Sequence, residues 1–265
     1  MTIDWQSLTW SETDTDATIR VNVASPEALL ADLGARIAAG RGFSVATLNL
    51  DHVVKLRRLP RFRAAYAAHS HVTADGNPIV WILRLAGDRV RLTPGSELVG
   101  PVAALAARAG VPVGLFGATG ESLRGAAAAL EARHPGLRVA ARIAPPMGFD
   151  PEEAEADRLI AELAASGARV VFLALGAPKQ EILAARIARA HPGMGILSIG
   201  AGLDFLSGAQ NRAPAPVRAL ALEWVWRLAQ DPGRLWRRYR DCFAILPGLT
   251  VAALRLRGAG RAGPR

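Results

Sequence analysis

The chain is short of cysteine, lysine and long apolar runs, and each shortage removes a class of protein. Cys242 is the only cysteine in 265 residues, so no disulfide framework and no cysteine-rich metal site is available. Lys55 and Lys179 are the only lysines, and arginine carries nearly all the positive charge behind a formal net charge of +9. The opening "MTIDWQSLTWSETDTD" is acidic and polar where a signal peptide needs a basic start and an apolar run, which leads us to expect a cytoplasmic protein. The longest C-terminal apolar stretch, "CFAILPGLTVAAL", is too short to span a bilayer and is interrupted by Pro247 and Gly248. No P-loop and no G-x-G-x-x-G occurs, and His52, His69, His71, His134 and His191 show no metal-ligand spacing.

What is present is an alternation of β-like runs and helical patterns. "FSVATLNL" (43–50), "VPVGLF" (111–116), "LRVAAR" (137–142), "ARVVFLAL" (168–175) and "GILSIG" (195–200) read as strands. Helices are expected from His52 to about Ala68, restarted at Pro60, and near 121–134, 151–166 and 179–190. This order predicts an α/β protein with a Rossmann-like, mostly parallel sheet covered by helices on both faces. Half the chain is apolar, enough for a sizeable core.

Beyond Asn211 the character changes. Two tryptophan-bearing helical segments, separated by Asp231-Pro232-Gly233, mix aromatics with arginines, and Leu220, Trp224 and Leu228 fall on one helical face. We therefore expect a Rossmann-like catalytic core over residues 1–210 and a basic helical appendage over 211–265. Such a segment suits an anionic membrane surface, or packs as ordinary helices with solvated arginines.

Chemistry-bearing residues gather at predicted strand ends, where open α/β sheets bind ligands. "FGATGES", "LGAPKQE" and "IGAGLDFLSG" each follow a strand and either place N–H groups for a phosphate or serve as tight turns. In the second, Lys179 and Gln180 stand at a helix start. In "HVTADGNPIVW" (71–81), Asp75 marks a strand-to-helix junction, as an N-cap for the helix opening near Pro78 or as a general base. The one D-x-D, Asp14 to Asp16, reads as a solvated polar segment, so no metal is expected.

Five blocks, "TLNLDH", "TADGNPIVW", "LGAPKQE", "IGAGLDFLSGAQNRAP" and "LEWVWRLAQDPGRLWRRY", resemble in order and spacing the motifs of the WecG/TagA/CpsF glycosyltransferases. The resemblance covers roughly residues 20 to 245. It implies an inverting transferase that moves N-acetylmannosamine, its uronic acid or glucose from a UDP-sugar to a polyprenyl-diphosphate-linked acceptor. The setting it implies is peripheral, on the cytoplasmic face of the inner membrane, in cell-surface polysaccharide synthesis. It places Thr47, Asn49 and Gln180 in the pocket, makes Asp75 the general base, and assigns Arg227, Arg234, Arg237 and Arg238 to the acceptor diphosphate. Arg91 is its counterpart of a pocket arginine, although "RLTPGSEL" carries an extra residue and Glu97 in place of an aspartate. Neutralisation of the diphosphate then falls to Lys179, backbone amides and the arginines.

Two other classes share some of these features. A dinucleotide-binding oxidoreductase would share the core but should show a glycine fingerprint after its first strand. A nucleic-acid-binding module would explain the arginines, yet they lie beside aliphatic runs with no nucleic-acid motif, and no nucleic-acid partner is expected.

Overall fold

Residues 2–3, 10–11, 19–210, 213–214, 216–217 and 220–262 are described by the structure, a computed structural model. Thr2–Ile3 (β1) and Trp10–Ser11 (β2) pair antiparallel. The body is a six-stranded parallel sheet of β3 (Phe43–Leu48), β4 (His71–Ala74), β5 (Val113–Gly117), β6 (Val139–Ile143), β7 (Val170–Ala174) and β8 (Gly195–Ser198). Its order is β4-β3-β8-β7-β5-β6, with every neighbouring pair parallel. Central strands such as β3 are buried along their whole length, which is why they read as near-continuous apolar runs rather than as alternations.

One face is covered by α1 (Pro26–Ala38), α5 (Gly95–Arg108), α6 (Gly120–Arg133) and α9 (Gly202–Ser207). Leu33, Val99, Leu123 and Leu203 of these helices pack on Val45, Val170 and Phe172 of the sheet. The other face carries α2 (Leu50–Arg58), α3 (Pro60–Ala67), α4 (Asn77–Ala86), α7 (Ala154–Ala165) and α8 (Lys179–Ala190). Helices thus cover both faces of the sheet, as the alternation of elements predicts. α2 ends at Arg58 because the residue before a proline is forced out of the helical region, and Leu59 is extended at φ −120°.

The helices leaving the adjacent strands β3 and β8 go to opposite faces: Val53 and Leu56 of α2 enter one core, Leu203 of α9 the other. This divergence opens a crevice at the carboxyl ends of β3 and β8, the position where such sheets take ligands.

At the C-terminus, α10 (Glu223–Gln230) is followed by α11 (Pro232–Ala262). Two expectations are corrected here. Pro247 does not break the apolar stretch, since α11 runs straight through it. A proline inside a helix costs about 3 kcal/mol, but Ile245, Leu249, Ala253 and Leu256 are buried against α2 and α4. Burying each large aliphatic side chain contributes about 1.5–3 kcal/mol, so a few of them outweigh the proline. Leu220 does not join Trp224 on a helical face, because it lies exposed in a turn ahead of α10. No helix among the described residues is long and apolar enough to cross a membrane.

Candidate active site

The crevice is built around Asp75. Parallel pairing aligns Thr47 with Thr73 and Leu48 with Ala74, and the Asp75 N–H extends the ladder by donating to the Leu48 carbonyl at 2.8 Å. The next residue, Gly76, is the N-cap of α4, with φ at 101° and no side-chain hydrogen bond to the helix. The reading of Asp75 as a helix cap is therefore overturned. Its carboxylate is free of α4 and lies beside Thr47 and the backbone of Gly95, both of which favour its ionised form.

Gly95 arrives there because the chain before α5 is tied to β4. Thr93 donates its N–H to the Ala74 carbonyl at 2.8 Å, and the Thr73 hydroxyl donates to the Thr93 carbonyl at 2.8 Å. A Cβ on Gly95 would sit 2.9 Å from the Ser198 carbonyl oxygen and 3.1 Å from the Ile199 Cα, so no side chain fits. The first turn of α5 thereby comes down on the ends of β3 and β8 with its N–H directed at the carboxylate. Burial pushes the Asp75 pKa up to about 6, against the lowering effect of the Thr47 hydroxyl, of Arg227 and of Gly95, while Glu223 raises it further. A carboxylate with this value is mostly ionised at neutral pH and still basic enough to take a proton.

A second layer lies on the α8 side. The Gly200 N–H at the end of β8 donates to Gln180 Oε1 at 3.1 Å, and Gln180 Nε2 donates to Glu181 Oε1 at 2.8 Å. Nearby, Lys55 Nζ donates to Asp51 Oδ2 at 2.7 Å and to the Ala177 carbonyl at 2.9 Å. Arg238 of α11 reaches the same Asp51 oxygen at 3.2 Å. Asp51, in the first turn of α2, thus ties the last helix to α2, and the cations beside it hold its carboxyl below the usual range despite burial. His52 Nδ1 shares a 2.8 Å hydrogen bond with the Tyr66 hydroxyl, and burial lowers the His52 pKa to about 3, so the ring is neutral. His52 is a satisfied core histidine.

Residues 16–260 match the glycosyl transferase WecG/TagA/CpsF family. The chain belongs to this family. It is accordingly a glycosyltransferase of cell-surface polysaccharide synthesis, and the oxidoreductase and nucleic-acid readings fall away.

Against the family pattern, the structure gathers some of the expected pocket residues and disperses others. Thr47 meets Asp75 directly, and Gln180 lies buried beneath Gly200. Asn49 stands at the end of β3, where its Oδ1 caps α2 by accepting the His52 N–H at 3.0 Å, leaving its amide nitrogen for a ligand. Arg227 pairs with Glu223 through Nη2 at 2.9 Å and lies over the Phe205 ring at 5.7 Å, close enough for the pair to act on Asp75. Arg237 is exposed on α11. Arg234 lies on the same helix, and its side chain is outside the described residues.

Two side chains point elsewhere. Arg91 is on the surface, paired with Glu27 at 2.7 Å. Lys179 Nζ donates to the Phe149 carbonyl at 2.5 Å, so its ammonium is engaged on the loop after β6 rather than at the ends of β3 and β8. The "FGATGES" turn is a packing device: Thr119 caps α6 by accepting the Ser122 N–H, and a Cβ on Gly117 would strike the Ala174 carbonyl.

Asp51, Lys55, Tyr66, Glu181 and Glu223 were not singled out from sequence. Asp51, Glu181 and Glu223 lie inside the quoted family blocks, and Lys55 follows Asp51 by one helical turn. Among the described residues no group of three or more His, Cys, Asp or Glu side chains is arranged to hold a metal ion. Asp14 and Asp16 lie outside the described residues.

Proposed function

We propose that the protein transfers N-acetylmannosamine, its uronic acid or glucose from a UDP-sugar to a polyprenyl-diphosphate-linked sugar, with inversion at the anomeric carbon. The observation that carries the proposal is Asp75, a strand-end carboxylate that does not cap its helix and has a pKa of about 6. In this reading the acceptor hydroxyl gives its proton to Asp75 as its oxygen bonds to the anomeric carbon from the face opposite UDP. The bond from that carbon to the phosphate oxygen breaks, and UDP departs with the electron pair. Thr47 and the Gly95 N–H hold the carboxylate toward the acceptor, so that its orientation is set before the reaction.

Charge developing on the departing diphosphate needs donors that do not reorganise. In this reading the Gly200 loop, Arg227 and Arg238 of α11 supply them, and arginine suits the task because its planar fork binds two phosphate oxygens at once. Transfer therefore needs no divalent metal. The exposed Trp236 and Phe243, on a helix rich in arginine, rest on an anionic membrane surface at the cytoplasmic face and bring the crevice to its lipid-linked acceptor. The test is a panel of UDP-sugars offered with a polyprenyl-diphosphate-linked sugar. Transfer from at least one donor, lost in Asp75→Asn, supports the proposal, and no transfer from any donor refutes it.

A further inference from the structure

Glu181 is the most deeply buried acid that the catalytic reading leaves unused. It lies in the first turn of α8 with no solvent exposure. Its Oε1 accepts from Gln180 Nε2 at 2.8 Å, and its Oε2 has no hydrogen-bond partner in the structure. A carboxylate oxygen left dry and unpaired is costly when ionised and is expected to carry a proton instead. Because Gln180 Oε1 is taken by the Gly200 N–H at 3.1 Å, the carboxamide cannot turn over without losing both bonds. The three groups form a rod, from Glu181 through Gln180 to the amide of Gly200, that ends under the loop following β8. Gly200 has φ at 57° and open space where a Cβ would stand, so this loop can be approached closely by a ligand.

We propose that Glu181 is a positioning residue of the donor site: while neutral it anchors the Gln180 amide that fixes the Gly200 loop, and its ionisation places a charge beneath that loop that weakens binding of a nucleoside diphosphate. This rests on the donor reading above.

The surroundings agree. The groups acting on Glu181 are Tyr66 from α3 and Asp51 and Lys55 from α2, while His52 bonds to Tyr66 and Arg238 of α11 to Asp51. Strands β3, β7 and β8 contribute no titratable side chain. Tyr66 and His52 are neutral, and Lys55 and Arg238 are both engaged on Asp51. No cation is thus dedicated to Glu181, and burial raises its pKa to about 7. The change of state falls within the working range of pH.

The experiment uses UDP itself as the probe and titration calorimetry as the readout, comparing the full-length protein with Glu181→Gln from pH 6 to 8.5. The amide keeps an acceptor for Gln180 but does not ionise. UDP and Asp75 are the same in both proteins, so their own titrations cancel in the comparison. The expected result is that UDP affinity of the wild type falls about fivefold or more across the range, with proton uptake on binding near pH 7, and that Glu181→Gln shows a flatter affinity and less uptake. The same pH dependence and uptake in both proteins would overturn the inference. Absence of UDP binding by the wild type at every pH would instead overturn the donor reading beneath it. Should Glu181→Gln fail to fold, carboxyl ¹³C NMR on the wild type decides. By linkage UDP must raise the Glu181 midpoint, and a midpoint unmoved by saturating UDP would refute the proposal.

Discussion

Replacing Asp75 by asparagine should make the protein inactive and, above pH 6, more stable. The folded protein holds this carboxyl at a pKa of about 6 against an ordinary value of 3.8. The folded state therefore binds the proton more tightly than the unfolded state. No penalty exists below pH 3.8, it grows between 3.8 and about 6, and it is fully present above. That separation corresponds to about 3 kcal/mol. Asparagine removes the ionisation but offers one acceptor oxygen where the carboxylate offers two to its neighbours, the Thr47 hydroxyl and the Gly95 N–H. One of them then faces an amide NH₂, at a cost of about 1 kcal/mol. The net expectation is a gain of about 1–2 kcal/mol at pH 7.5, vanishing near pH 4, together with an activity loss of about 10²- to 10⁴-fold. Urea unfolding at pH 7.5 and pH 4, beside a transfer assay, measures both. A variant less stable than the wild type at pH 7.5 would show that the carboxylate is structural, and wild-type turnover would end its assignment as the base.

Gly95→Ala should cut activity sharply while the protein stays folded, because the new Cβ must push α5 off the Ser198 carbonyl and carry the Gly95 N–H away from Asp75; unchanged kcat would refute this. Arg227→Ala should lower transfer by about tenfold or more and move the acidic limb of the pH–rate profile upward, since Arg227 holds the Asp75 pKa down. Exhaustive chelation should leave the wild-type rate largely intact; loss on EDTA with recovery on added magnesium or manganese would bring Asp14 and Asp16 back into consideration. Leu249→Ala should destabilise the protein by about 2–5 kcal/mol, because Leu249 is wholly buried between α11 and the core. For the same reason, ending the chain at Pro232 should yield an unstable protein that exposes Val80 and Leu83, and a cooperative unfolding transition of wild-type midpoint would contradict this packing.

Much of the fold was legible because β3, β7 and β8 are buried on both faces and so advertise themselves as unbroken apolar runs. The helix through Pro247 was not, since what keeps it continuous is contact with α2 and α4, nearly two hundred residues earlier in the chain. Asp75 could be placed at a strand end from its neighbours. Excluding the cap reading required the backbone at Gly76, which takes the cap position with a positive φ. The partners of Arg91 and Lys179 were not legible because long side chains choose contacts that spacing does not reveal, here Glu27 and the Phe149 carbonyl. Glu181 was in view within "LGAPKQE", but nothing local indicates that one of its oxygens is left unpaired.

The central claim, that Asp75 at the end of β4 accepts the acceptor's proton during inverting transfer from a UDP-sugar, is tested most directly by the pH dependence of single-turnover transfer to a polyprenyl-diphosphate-linked acceptor, with the product's anomeric configuration assigned by NMR. The account predicts an inverted linkage and a rate that rises with unit slope to a plateau, with a midpoint at about 6 that is absent from Asp75→Asn. A product of retained configuration, or an acidic limb that survives the Asp75→Asn substitution, would contradict it.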